Sequence, residues 1–184
     1  MLNPNFYPFP ELETERLLLR QVQDQDADDL FILRSDQTLM RFIDRPLASS
    51  IADAQQLVQK IHDSLIQNDG ITWTITLKPD PGLIGTIGFW RIEKENYRAE
   101  VGYMLAVKWQ DKGIMSEAMK EVLKYGFKEM NLHSVEANVN PANEASIRLL
   151  EKNQFIREAY FKENYFYNRK YIDSAIYSLL NPYQ

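Results

Sequence analysis

The chain contains no cysteine. A disulfide scaffold, a thiolate zinc site and a cysteine nucleophile are thereby excluded. Histidine is scarce as well, with only His62 and His133. Neither clusters with carboxylates, so no metal site is expected. His133 follows the end of a predicted helix, where the helix dipole favours a cation. No uninterrupted apolar run approaches a membrane span. The opening "MLNPNFYPFPELETERLLLR" lacks the charged start and apolar core of a signal peptide. A cytoplasmic protein without a membrane partner, monomer or homodimer, is the expectation. Basic charge is not in excess: the net charge is -5, and no Lys/Arg block offsets it, which argues against a nucleic-acid partner. What is present is an ordinary globular balance, 45% apolar and 26% charged over 184 residues. That suffices for one domain, residues 1–184, with a sizeable core.

Residues 1–12 carry most of the early prolines and little periodicity, and read as an extended N-terminal arm. "RLLLRQV", Arg16 to Val22, is a strand. A helix follows, with Asp24 as N-cap and Leu30, Ile32 and Leu33 as its apolar residues. "IADAQQLVQKIHDSLIQND" is a second helix, its Ala54, Leu57, Val58, Ile61 and Leu65 recurring at helical spacing and Gly70 stopping it. The period then changes. "ITWTITL" alternates as a half-buried strand. "LIGTIGFWRI" is apolar on both faces, as a central strand would be, and "AEVGYMLAV" is a third strand. Short turns, "PDPG" and "KENY", join them into an antiparallel meander. From Ile114 the residues Met115, Met119, Leu123 and Phe127 fall on one helical line. "SVEANV" is a strand, "NPANEASIRLLEKNQF" a loop and helix, and two late strands span Ile156–Tyr160 and Tyr171–Leu179. The aromatic-rich "FKENYFYNRKY" between them suits an amphipathic hairpin or the wall of an acceptor pocket. The order β α α β β β α β α β β predicts an α+β fold, a mixed sheet with helices on its faces.

The segment "WQDKGIMSEAMKEVLKYGF" places Gly113 where a helix is about to begin. Two readings are open. The glycine serves turn geometry, or it lets an anion approach the unpaired N–H groups and positive dipole end of the helix. Lys112 would add charge and Ser116 a further donor. Neither a spaced G-x-G-x-x-G nor a Walker loop is present. "QDKGIM", Gln110 to Met115, resembles the Q/R-x-x-G-x-G/A motif of the GNAT N-acetyltransferases. In order, "ETERLLLR", "IGTIGF", "AEVGYML", "GIMSEAM" and "YGFKEMNLHSVEANVNPANEASIRLLEKNQF" resemble its branch of ribosomal-protein alanine and serine N-terminal acetyltransferases. The likeness runs from about Glu13 to about Leu179. It implies a mostly antiparallel mixed sheet splayed at its fourth strand, and acetyl-CoA as co-substrate. Two positions depart from the pattern. Met115 stands at the final G/A position, and Leu150 where many members carry the tyrosine that protonates the leaving thiolate; the glycine of "EKxGF" is Gln154.

The resemblance implies transfer of acetyl from a thioester to a primary amine. Backbone N–H groups of Lys112, Gly113, Ile114, Met115 and Ser116, with Gln110, would grip the coenzyme's diphosphate. The backbone of Met104, Leu105 and Ala106 would pair with its pantetheine arm, one N–H facing the carbonyl oxygen. Glu100 is the candidate base, directly or through water, since a carboxylate in an apolar strand is costly without a purpose; pairing with nearby Arg98 is its structural alternative. Glu136 is a second candidate, or part of a solvated strand face, and Asn138, on the same face as Glu136, would line the cleft. Asn143 and Ser146 share a helix face. They serve as cap and filler, or, by resemblance, contact the coenzyme arm, with Ser146 hydrogen-bonding the thiolate. The expected acceptor is a peptide N-terminus, as on a ribosomal protein. A small amine such as a polyamine, amino sugar or amino acid is the alternative, towards which the acidic run Asp24 to Asp29 points unless it is only a solvated helix start. A non-catalytic acyl-CoA-binding module is the reading of another class.

Overall fold

A computed structural model describes residues 1–183. The strands are β1 (Leu12–Glu13), β2 (Leu17–Gln21), β3 (Ile71–Leu77), β4 (Gly85–Glu93), β5 (Arg98–Leu105), β6 (Ser134–Val139), β7 (Ile156–Tyr167) and β8 (Lys170–Leu180). The helices are α1 (Ala27–Ser35), α2 (Gln37–Met40), α3 (Ile51–Ile66), α4 (Ile114–Lys128) and α5 (Glu144–Lys152). All eight strands form one sheet, in the order β1-β2-β3-β4-β5-β6-β8-β7. Every pairing is antiparallel except β5 with β6. The parallel pair follows from the α4 crossover between them, a connection a tight turn cannot make.

Strand alternation divides β5 between two apolar layers. Ala99, Val101 and Leu105 belong to the main core, with Trp73, Phe89, the inner face of α4 and Leu150 of α5. Met104 belongs to a smaller cluster with Leu30 and Leu33 of α1 and Ala54 and Val58 of α3. Helices therefore cover both faces. Trp73 is fully buried and meets Phe9, Phe89 and Tyr125 edge-on at 6.0, 6.4 and 5.4 Å. Its indole N–H donates to Pro10 O at 2.7 Å, which satisfies the one polar atom of that ring.

The β5–β6 pairing defines the architecture. Its register is Arg98 with Ser134, Ala99 with Val135 and Glu100 with Glu136, and it goes no further. Beyond that point β5 continues to Leu105 and β6 to Val139 without pairing to each other. The sheet is splayed at this strand. It is the fifth in chain order, because the short β1 precedes the strand expected to come first.

Several local expectations change. The arm holds no strand before Leu12, and it is not free of the core: Leu2 and Phe6 are buried in it. Asp24 is not an N-cap but the first residue of a 3-10 turn, Asp24–Asp26, capped by Gln23. The acidic run is not simply a solvated helix start. Asp26 is buried and accepts from both terminal nitrogens of Arg20, at 2.8 and 2.7 Å. Ile32 is 63% exposed, so the inner face of α1 is Ala27, Leu30 and Leu33. Helix α3 ends at Ile66, with Asn68 rather than Gly70 in the left-handed region. A Cβ on Gly70 would lie 2.8 Å from Ser64 Oγ and 3.0 Å from Phe89 O, so close approach explains that glycine. The two late strands are longer than expected. "FKENYFYNRKY" lies within the β7–β8 hairpin, whose register shifts by one extra residue at Arg157–Ala159, as in a bulge, and again between Phe161 and Tyr165. Among the described residues, no helix is long and apolar enough to cross a membrane.

Among the described residues, Asp26 is the only carboxylate paired to buried Arg20, and it also accepts from Gln23 N at 2.8 Å. Removing it strands a buried guanidinium. Asp26→Ala should lower unfolding free energy by about 3–5 kcal/mol, read as a fall in the urea midpoint. A change below about 1 kcal/mol would mean that water reaches Arg20 in the folded state.

Candidate active site

The loop between β5 and α4 is built from two left-handed residues, Asp111 at φ 57° and Gly113 at φ 74°. Alternating handedness turns successive N–H groups to one side, as in an anion-binding nest. Gly113 is the N-cap of α4 and makes no side-chain cap. Its left-handed backbone alone requires a residue without Cβ strain, so the turn reading holds. The open face also holds, since an added Cβ would meet nothing closer than Arg16 Nη2 at 3.6 Å. The N–H groups of Lys112 to Ser116 have no acceptor among the described residues; the first helical N–H with one is that of Glu117, which donates to Gly113 O at 3.0 Å. Ile114 and Met115 are buried in the main core, so only their backbones are presented. Ser116 is buried as well, its Oγ 3.5 Å from Asn153 Nδ2.

Side chains brace this loop. Gln110 Nε2 donates to Leu105 O at 2.9 Å, tying the loop to the end of β5. Lys112 lies over the Trp109 ring, with Nζ 4.8 Å from its centroid. Arg16 was not foreseen. It reaches across 96 residues of sequence to donate to Lys112 O at 3.1 Å, and its Nε donates to Glu117 at 2.7 Å. Burial pushes the Glu117 carboxyl up, but bonds from Thr14 and Arg16 outweigh it and hold the group below its ordinary value. From Gly113 a groove of about 440 Å³ runs past Ser116 and Lys120 to Lys152 of α5.

Of the three residues at the end of β5, Ala106 spends its N–H on Ile84 O at 2.9 Å. Backbone groups on a strand alternate in direction, so Met104 also faces β4 while Leu105 and Tyr103 face the splay. Of Met104, Leu105 and Ala106, for which a backbone role was expected, only Leu105 turns its N–H towards the splay, as Tyr103 does.

Glu100 stands at the fork itself and is 5% exposed. Its partner is Arg91, whose Nη1 donates to Oε2 at 3.0 Å, and not Arg98. Arg98 is held instead by Glu93 at 2.7 Å and Glu136 at 3.5 Å. A bulge between Trp90 and Glu93, with Arg91 at φ 46°, accompanies that contact. Burial raises the Glu100 carboxyl above its ordinary value, as does the charge of Glu136; Arg91 and the backbone N–H of Asn138 oppose the rise. Asn138 lies on the length of β6 beyond its last pair with β5, so this carboxylate sits where the β5–β6 ladder stops. Asn138 itself is exposed and Glu136 half-buried.

On the opposite face of β5, Tyr103 Oη lies 2.6 Å from Ser146 Oγ. Asn143 is the N-cap of α5 and accepts from Ser146 N at 3.2 Å, so its capping role is present. Leu150 is one turn further along α5 and fully buried. Tyr103 was missed because "GYMLAV" read only as strand core; the phenol's need for a partner was the available signal. Among the described residues, no group of three or more His, Cys, Asp or Glu could hold a metal ion.

A splayed sheet, a helix tip with free amides beside the splay, and a buried carboxylate and a hydroxyl pair along it belong to the class of acyl-transfer enzymes. The acetyltransferase (GNAT) domain model matches residues 16–156, and the chain belongs to that family. It is similar to the uncharacterised N-acetyltransferase YoaA of Bacillus subtilis strain 168, with 36% identity over 174 residues covering 95% of this chain and 98% of that protein. It also resembles the ribosomal protein uS5-alanine N-acetyltransferase of Escherichia coli K12, 25% identical and covering 95% and 93% of the two chains. The crystal structure of a GNAT-family acetyltransferase from Bacillus anthracis superposes with a TM-score of 0.84 at 30% identity, covering 94% of this chain and 99% of that one. The protein is thus an acetyl-CoA-dependent N-acetyltransferase.

Arg91 is the attractive charge beside Glu100. Arg91→Ala removes it, so the Glu100 carboxyl should titrate at higher pH than in the parent protein. Carboxyl-carbon NMR of labelled glutamate reads this directly, and a shift to lower pH would contradict the pairing.

Proposed function

We propose that the enzyme acetylates the α-amine of a peptide or protein N-terminus, of the kind presented by ribosomal proteins. The amides of Lys112 to Ser116 hold the diphosphate of acetyl-CoA, and the thioester enters the splay beside Leu105. The N–H of Leu105 donates to the carbonyl oxygen as negative charge develops there. Glu100, through a bound water, takes the proton that the amine loses on attack. Ser146 hydrogen-bonds the departing sulfur. The observation that carries this reading is the set of unpartnered amides at the tip of α4, adjoining the splay in which Glu100 sits.

The choice of acceptor rests on proton cost and on the family branch. An α-amine with a pKa near 7.7–8.0 costs only about 1 kcal/mol to deprotonate at pH 7, against roughly 4.6 kcal/mol for a lysine-type amine near 10.4. A carboxylate already committed to Arg91 at 3.0 Å is a modest base, which matches the cheaper proton. The similarity to an enzyme named for alanine N-acetylation of uS5 points the same way.

Thiol release from acetyl-CoA should be faster with peptides bearing Ala or Ser at a free N-terminus than with polyamines, amino sugars or free amino acids. The reverse ranking would reject the peptide assignment. Gly113→Asp should weaken CoA binding by at least about tenfold in calorimetry, since it adds strain and a like charge to the nest. Unchanged affinity would remove the loop from the site. Glu100→Gln should lower kcat by about 10²–10⁴ while leaving CoA affinity nearly intact. The parent-to-variant ratio should shrink as pH falls through the raised Glu100 pKa, because protonation disables the parent too.

A further inference from the structure

The family's tyrosine position on α5 is Leu150, wholly buried in the core, so no hydroxyl projects from that turn. A phenol nonetheless reaches the same helix from the other side of the splay. Tyr103 lies on the length of β5 beyond the last β5–β6 pair, and its Oη is 2.6 Å from Ser146 Oγ. Ser146 is itself fixed through its backbone, since its N–H donates to the Asn143 side chain at 3.2 Å. What remains free is the rotation of the serine hydroxyl. We propose that Tyr103 is a positioning residue: its phenol donates to Ser146 Oγ and thereby aims the Ser146 proton at the leaving sulfur of the thioester.

The direction of the bond follows from acidity. A phenol is a stronger donor than an alkyl hydroxyl, so Tyr103 donates and Ser146 accepts. With Ser146 Oγ accepting from the phenol, its one O–H is left for the sulfur. Burial pushes the Tyr103 phenol up to about 12, whereas an ordinary thiol sits near 8.5. Full proton transfer from Tyr103 towards sulfur is therefore opposed by a factor of roughly a thousand or more. That separates the two roles: Tyr103 polarises and orients, and it does not act as the acid. In the transfer, the amine nitrogen forms the C–N bond to the acetyl carbon and the C–S bond breaks with its electron pair on sulfur. The proton shed by nitrogen passes to the water on Glu100, and the thiolate, held meanwhile by Ser146 O–H, takes up one proton to leave as the thiol. No other reactant is needed.

This inference rests on the proposed role of Ser146, and a double-mutant cycle separates the two. Ser146→Ala should lower kcat by an order of magnitude or more. Tyr103→Phe, which removes one oxygen, should lower kcat roughly five- to twentyfold with KM for acetyl-CoA changed less than about twofold. In the Ser146→Ala background, Tyr103→Phe should have no further effect on kcat. Site-specific Tyr103→3-fluorotyrosine, a more acidic phenol and so a stronger donor, should raise kcat above the parental value. A silent Ser146→Ala would overturn the reading of the site and the inference with it. A slow Ser146→Ala combined with a silent or fully additive Tyr103→Phe would overturn the inference alone. Should Tyr103→Phe fail to fold, the fluorinated protein decides: kcat at or below parental would count against a donating phenol.

Discussion

The structure depends on where a β-ladder stops. Two central parallel strands pair through Glu100 and Glu136 and then diverge. Divergence leaves backbone N–H and C=O groups facing a gap, and each must find a partner or face water. The Glu100 carboxylate lies at the mouth of that gap, near enough to the N–H of Asn138 for it to favour the charged form. The same carboxylate is bound to Arg91. Glu100 is thus a strut at the fork, and in the proposed reaction it is also the base. These roles are compatible, because a carboxylate has two oxygens and several acceptor sites.

The groups proposed to act in catalysis are arranged around that gap. The β5 strand ends at it, and the loop that follows must reverse quickly to start α4 on the face of the sheet. Asp111 and Gly113 achieve the reversal with left-handed backbone. The amides exposed by that geometry are what a diphosphate recognises. Arg16 and Glu117 then lock the helix tip to the β1–β2 turn. That contact is partly exposed, so its value lies more in orientation than in stability. On the far side of the gap, the cap of α5 fixes Ser146, and Tyr103 joins the two walls.

Much of the fold was legible because the signals were local. The period of two in "ITWTITL" and "SVEANV", the period near 3.6 after Ile114, and the strand–helix–strand order were enough for a mixed sheet with helices on both faces. Errors fell where tertiary contacts overrode local patterns. Asp24 has the chemistry of a cap, but Gln23 holds the cap position, and Asp26 accepts from its backbone N–H while drawn inward by Arg20. Gly70 resembles a helix stop, yet its small size answers to the backbone of Phe89. Within the site, the glycine loop and the Asn143–Ser146 pair were visible as motifs. Arg91, Arg16 and Tyr103 were not, since each meets its partner through strand register, a bulge or an element distant in sequence.

Local patterns were enough for the elements, the helix-covered sheet and the family, because helical and strand periods and short motifs are properties of neighbouring residues. Assembly of the sheet set which strand pair opens, that Glu100 answers to Arg91 rather than to Arg98, and that a phenol on β5 stands against the serine of α5. These depend on which backbone groups remain unpaired after the sheet is assembled, and no local stretch of chain carries that information.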